Sequence, residues 1–302
     1  RAVSKDWGPG DEVVVTRLDH DANVSPWLIA AERTGATVRW LDFDPDDGCT
    51  LDPIDGVLST STRLVAVTAA SNAVGTVPNV AGIIASAKEA GAFTVVDAVH
   101  HVPHRPTDFA GLGADALLCS PYKFYGPHAG VLALAESAWG LAPERIRPAP
   151  ASHPGHWEIG TASFEALAGV TAAVEFIGSF GEGGSRRDRI VSALSAMDAH
   201  TEALARRFLA GITDMDRITL HGIADDRPRT PTFAITVDGL APAAVAERLG
   251  SAGINVWDGH FYALEVLRRL GMLETGGVVR IGFLAYQTEA EVDRLLEELD
   301  AL

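Results

Sequence analysis

Between residues 12 and 135 the chain keeps returning to short, mostly apolar runs rich in Val, Leu and Ala, separated by segments of helical spacing. The runs are "EVVVT" (12–16), "TVRWLDF" (37–43), "LVAVTAA" (64–70), "FTVVDAV" (93–99), "ALLCS" (116–120) and "GVLALA" (130–135). A strand with one wet face alternates polar and apolar residues; a strand buried on both faces reads as nearly continuous apolar sequence. Runs of the second kind, separated by helices, predict a mostly parallel sheet covered on both sides, an α/β fold. Two of the helices are legible. "SPWLIAAERTG" (25–35) has Ser25 as a candidate N-cap, Pro26 at the first helical position and Gly35 as a stop. "NVAGIIASAKEAG" (79–91) is amphipathic and ends at Gly91.

Near residue 145 the texture changes. "PERIRPAPASHPGHW" (143–157) is rich in Pro and His and reads as an irregular crossing, followed by a helix around 164–180. A second pattern follows: helix 188–210, strands 217–221 and 231–237, helix 241–251, strands 253–257 and 278–284, and a last helix 288–300. The expected organisation is a large domain over 1–185 and a smaller C-terminal α+β domain over 186–302. The opening "RAVSKDWGPGDEVVV" reads as a helix tail running into a turn and a strand, so residues are expected upstream of it.

Charge and cysteine usage narrow the setting. A net charge of -16 repels phosphate backbones and anionic lipid, which argues against a nucleic-acid or membrane-surface partner. Two cysteines, Cys49 and Cys119, are too few for a disulfide framework and fit a reducing, cytoplasmic location. No apolar stretch approaches the roughly 20 residues of a membrane span, and the start shows no signal-peptide pattern.

In open α/β sheets ligands sit beyond the carboxyl ends of the strands. The polar residues that follow the predicted strands are His20, Asn72, Asp97, His100, Ser120, Tyr122 and Lys123. No Gly-x-Gly-x-x-Gly run or Walker loop follows a strand, which disfavours dinucleotide and P-loop chemistry. A Gly-x-Ser-x-Gly elbow is missing too, and His100, His101 and His104 lack the matched ligands of a metal site, so none is expected. The set does suit a Schiff-base lysine: desolvation lowers an amine's pKa and leaves it nucleophilic. Pyridoxal 5'-phosphate further needs an acid at its pyridine nitrogen. Asp97, 26 residues before Lys123, follows a strand of its own and can supply it.

With these residues the chain resembles the class V aminotransferases, in particular the cysteine desulfurase-like branch. The resemblance rests on "VVDAVHHVPH" followed by "GADALLCSPYKFYGPHAGVL", on "TRLDHDANVSPW", "SNAVGT" and "WEIGT", and on the closing "VVRIGFLAYQTEAEVDRLLEEL", all in order along nearly the whole chain. It implies the large domain of PLP fold type I, an amino-acid substrate and a homodimer with shared sites. It also implies that family members carry a further N-terminal stretch with a small Gly/Thr/Ser turn for the cofactor phosphate.

By resemblance, Lys123 forms the aldimine with the cofactor and moves the substrate's α-proton, Asp97 partners the pyridinium N–H, and His20 stacks on the ring. Asn72 and His100 would hydrogen-bond the ring hydroxyl, although relatives often have Gln at the second position. Ser120 would bind the phosphate, helped by Tyr122, which replaces a histidine of many relatives. Thr161 would reach the phosphate of the neighbouring subunit, and Arg280 would grip the substrate α-carboxylate. In "GINVWDGHFYALEVL", Tyr262 stands where desulfurases carry the loop cysteine. A phenol accepts no sulfur as persulfide, so the expected chemistry is transamination or C–S/β-elimination, with desulfuration or epimerisation as alternatives. Trp257, His260, Phe261 and Tyr262 are expected to form an aromatic lid, with His260 and Tyr262 against the substrate. A PLP-fold scaffold or binding protein is the non-enzymatic alternative.

Overall fold

The computed structural model describes residues 1–158 and 160–302. The strands are β1 (Glu12–Thr16), β2 (Thr37–Leu41), β3 (Phe43–Asp44), β4 (Thr50–Leu51), β5 (Thr62–Thr68), β6 (Phe93–Asp97), β7 (Ala116–Cys119), β8 (Val131–Leu134), β9 (Ile218–His221), β10 (Thr232–Val237), β11 (Trp257–Gly259) and β12 (Val278–Gly282). The helices are α1 (Ser25–Thr34), α2 (Val80–Glu89), α3 (Phe109–Leu112), α4 (Phe164–Gly178), α5 (Arg186–Ile212), α6 (Pro242–Ser251), α7 (Leu264–Arg269) and α8 (Glu289–Asp300).

Six strands form the larger sheet in the order β2-β1-β5-β6-β7-β8. Its first five are parallel, and β8 returns antiparallel to β7. The continuous apolar runs have the cause expected of them. Val14, Val65, Val67 and Val96 meet Ile83, Ile84 and Ala87 of α2 on one face, while Val13, Val15, Leu64, Ala66 and Val95 meet Trp7 and Trp27 on the other. From β1 the chain goes outward to β2, then crosses back to β5. The order therefore reverses at β1/β5, where a crevice opens beyond the strand ends.

The smaller sheet, β11-β12-β10-β9, is antiparallel throughout. One face packs Phe233, Ile235, Val279 and Ile281 on Phe208 of α5, Leu249 of α6 and Leu295 of α8. The other presents Ala234 and Val278 to Leu18, Ala73 and Val74 from the loops after β1 and β5, and to Val266 and Leu267 of α7. This apolar seam holds β10 and β12 beside the crevice. Gly75 tightens it. Its φ is +79°, and a Cβ there would lie 2.3 Å from the Thr232 carbonyl oxygen. The Gly75 carbonyl accepts from Thr230 N at 2.8 Å.

Several boundaries differ from the sequence expectations. Ser25 is not the cap of α1: Val24 is, and the Ser25 hydroxyl donates to Asp21 Oδ2 at 2.6 Å. Gly35 does end the helix, at φ +80°. The strand expected at 253–257 begins only at Trp257, because Ile254 N and Gly253 N donate back to Leu249 O and Gly250 O and close α6 with a Schellman-type turn. The run 37–43 breaks at Asp42, whose carboxylate accepts from Phe43 N and from Arg269. The opening residues form turns rather than a helix tail.

Candidate active site

Each candidate side chain owes its place to a strand end. Asp97 closes β6, in register with Thr68 of β5 and Leu118 of β7. Its Oδ1 accepts from Val99 N at 2.9 Å. Burial raises its pKa, while that N–H and the charges of His20 and Lys123 pull it back. Lys123 ends the single turn Pro121–Lys123 that follows β7. Burial lowers the pKa of its ammonium and the nearby Arg280 lowers it further, against the attraction of Asp97. The amine is thereby shifted toward its nucleophilic form.

His20 follows β1. Its Nδ1 accepts from Ala22 N at 3.0 Å and caps the turn Asp21–Asn23, so the neutral ring carries its proton on Nε2. Burial lowers its pKa. Asn72 follows β5. Its Nδ2 donates to the Phe261 carbonyl at 2.9 Å, and its buried Oδ1 has no partner. His100 Nε2 lies 2.9 Å from the Thr232 hydroxyl and 3.3 Å from that of Thr230. Burial above all, then His104, Lys123 and Arg280, holds it neutral. Arg280, in β12, donates to the Asn72 carbonyl at 3.0 Å and lies 4.4 Å over the Phe261 ring.

A cavity of about 120 Å³ gathers His20, Asn72, Asp97, His100, Ser120, Tyr122 and Lys123. A second, of about 450 Å³, shares His100, Tyr122 and Lys123 with it and extends to Arg280 and Trp257. The amine, the carboxyl, the imidazole and the unpartnered amide oxygen in the smaller one suit a pyridoxal phosphate ring, which needs a covalent anchor, an acid at its nitrogen and a polar partner for its hydroxyl. A larger hollow of about 580 Å³ beside α2 is lined by neither lysine nor cysteine and offers no such anchor.

The remaining expected site residues sit at the edge of these cavities or beyond them. Tyr122 stacks on His128 at 4.9 Å with its ring half-exposed at the cavity edge. Tyr262 and His260 sit at the rim and line neither cavity; Tyr262 is 66% exposed, 5.6 Å from the His20 ring. Phe261 and Tyr262 both hold left-handed φ, +53° and +57°. The loop is pinned by Asn72 on one carbonyl and Asp21 N on the next. Thr161 is exposed and lines neither cavity. Among the described residues, no group of three or more His, Cys, Asp or Glu is placed to hold a metal ion.

Three residues escaped the sequence reading. Thr230 and Thr232 hold His100 from the smaller sheet, with no local signal linking them to it. Asp19, beside His20, is 1% exposed. It accepts from Asn23 Nδ2 at 2.7 Å, from Thr68 N at 3.0 Å and from the Thr16 hydroxyl. Its signal was available: a carboxylate in the short segment after a buried strand, immediately ahead of a strand-end histidine.

Residues 1–295 match the family described as Aminotransferase class-V. An aminotransferase-like protein FGM3 of Gibberella zeae is 32% identical over 311 residues, spanning 97% of this chain and 72% of that one. A probable cysteine desulfurase 2 of Mycobacterium leprae is 32% identical over 302 residues, spanning 95% and 68%. Among solved structures, a cysteine desulfurase from Thermococcus onnurineus superposes with a TM-score of 0.86 at 25% identity, covering 99% of this chain and 74% of that one.

Proposed function

Since the chain belongs to the class-V aminotransferase family and is a pyridoxal-phosphate-dependent enzyme, we propose that it acts at the α-carbon of an amino acid, by transamination or by β-elimination including C–S cleavage. One observation carries the reading: Lys123 and Asp97, from the ends of adjacent strands, line one small cavity and shift each other's pKa. Bound pyridoxal phosphate supplies an electron sink for charge developing at the α-carbon. Lys123 would anchor it, and Asp97 would keep its ring nitrogen protonated. His20, Asn72, His100, Ser120 and Tyr122 would complete the holding set.

The reacting proton is the task of Lys123. Its amine, depressed in pKa by burial and by Arg280, takes a proton from the α-carbon and returns it. Arg280 would bind the α-carboxylate through its planar fork, its plane set by Phe261 beneath and the Asn72 carbonyl beside it. His260 and Tyr262 would border the substrate from the rim. In a homodimer, Thr161 would serve the neighbouring subunit's cofactor phosphate, leaving its hydroxyl exposed in one chain. A cytoplasmic location fits the free thiols.

The relatives named cysteine desulfurase favour a second reading, sulfur transfer from cysteine. That chemistry needs an accessible thiolate. Cys49 is fully buried, its thiol pushed up to about 12. Cys119 lies in β7, and burial raises its pKa too. Protein-bound persulfide formed from L-cysteine at the rate of alanine release would establish the second reading against the first.

The test of the first is the anchor. Protein reconstituted with pyridoxal phosphate is expected to show a visible absorption band that borohydride bleaches, leaving the pyridoxyl group on the peptide that contains Lys123. Lys123→Ala should show neither. The same band in Lys123→Ala would refute the assignment.

A further inference from the structure

The 450 Å³ cavity has an uneven charge inventory. Of its described lining residues Lys123 and Arg280 are the cations, and there is no Asp or Glu. His100 and His104 also line it, and burial keeps both rings neutral, His104 with a pKa of about 4. The rest of the wall carries no charge: Tyr122, Thr232 and Asn255 add neutral polar groups, and Pro103, Val256, Trp257, Phe283 and Leu284 are apolar.

Trp257 has a defined relation to Arg280. The two are direct antiparallel partners between β11 and β12, so their side chains stand next to each other on one face of the sheet. The indole is 68% exposed, an aromatic surface left open beside a guanidinium.

We infer that the substrate is an α-amino acid with an uncharged, apolar side chain of aromatic or thioether bulk, and that Trp257 is the residue that selects it. The inference rests on the reading above, in which Lys123 serves the amino end and Arg280 the α-carboxylate. With both cations engaged, a side-chain carboxylate finds no positive partner and loses its hydration. A side-chain ammonium meets two like charges and no anion. An apolar side chain instead covers Trp257 and gains the burial that both surfaces lack. A methyl group reaches too little of the indole to gain much.

The experiment uses protein reconstituted with pyridoxal phosphate, titrated with L-phenylalanine, L-methionine, L-alanine, L-aspartate and L-lysine. Dissociation constants are read from the change in the visible band and from calorimetry. L-phenylalanine and L-methionine are expected to bind at least about tenfold more tightly than L-aspartate or L-lysine, a difference of about 1.4 kcal/mol. Trp257→Ala should weaken L-phenylalanine about fivefold or more and leave L-alanine within about twofold, as expected for losing one apolar wall. The ring is exposed, so the variant loses little buried surface and should fold. Asn255→Arg, which places a cation in the same wall, should tighten L-aspartate. Equal affinity for L-aspartate and L-phenylalanine, or equal weakening of L-alanine and L-phenylalanine in Trp257→Ala, would overturn the inference while leaving the Lys123 chemistry intact. A cofactor anchored on Lys123 whose band no amino acid perturbs would instead overturn the proposed function, and this inference with it.

Discussion

Asp19→Asn isolates the energetic cost of keeping a second carboxyl behind Asp97. Burial pushes the Asp19 carboxyl up to about 8, with the charge of Asp97 acting in the same direction and the Thr16, Asn23 and Thr68 hydrogen bonds opposing. In the unfolded chain the group returns to its ordinary 3.8. The folded pKa lies above the unfolded one, so the stability linked to this group is complete below pH 3.8 and is lost as pH rises toward 8. Each pH unit inside that window costs about 1.4 kcal/mol, so raising the pH from about 5 to about 7.5 removes about 3 kcal/mol. Asparagine has the same shape and does not ionise. The unfolding free energy of Asp19→Asn, measured by urea denaturation, should therefore move by about 3 kcal/mol in the variant's favour relative to wild type over that interval. Other groups titrate in both proteins and cancel in the difference. A difference that stays constant across the interval would refute the argument, because it would mean that Asp19 is ionised in the folded protein and that its hydrogen bonds outweigh its burial. The outcome bears on the site: an uncharged Asp19 leaves Asp97 as the carboxylate of the crevice.

Two further outcomes are expected. Asp97→Asn should retain the cofactor but lower turnover by several orders of magnitude, since a buried charge opposite the ring nitrogen is worth several kcal/mol in the transition state; steady-state kinetics with turnover unchanged would contradict this. Gly75→Ala forces a Cβ to 2.3 Å from the Thr232 carbonyl at a φ of +79°. The left-handed conformation and the clash together should cost about 3 kcal/mol, visible in the urea midpoint, and an unchanged midpoint would mean the seam is not closed there.

Much of the frame was legible because its signals are local. The strand β1 has the bounds its β-branched run announced, Gly35 ends α1, and the mostly parallel sheet follows from apolar runs too continuous to tolerate a wet face. Strand-end geometry likewise predicted that His20, Asn72, Asp97, His100, Ser120 and Lys123 would converge, and they line one cavity. The boundary errors came from short-range competition: Asp42 capturing Phe43 N, and Gly253 closing a helix where a strand was expected. Other features depend on contacts between residues far apart in the chain. His100 meets Thr232 across 132 residues, Asn72 reaches the Phe261 carbonyl across 189, and Arg280 returns to Asn72 across 208. The pairing of Trp257 with Arg280 depends on strand register, and the exposed rim position of Tyr262 on a pinned left-handed loop. Residue type and spacing along the chain encode which groups reach the end of each strand, because that is a property of neighbouring residues. Which of them touch, and which charges are left unpaired in the cavity, arises only when the apolar seam brings the two sheets together and removes water from between them.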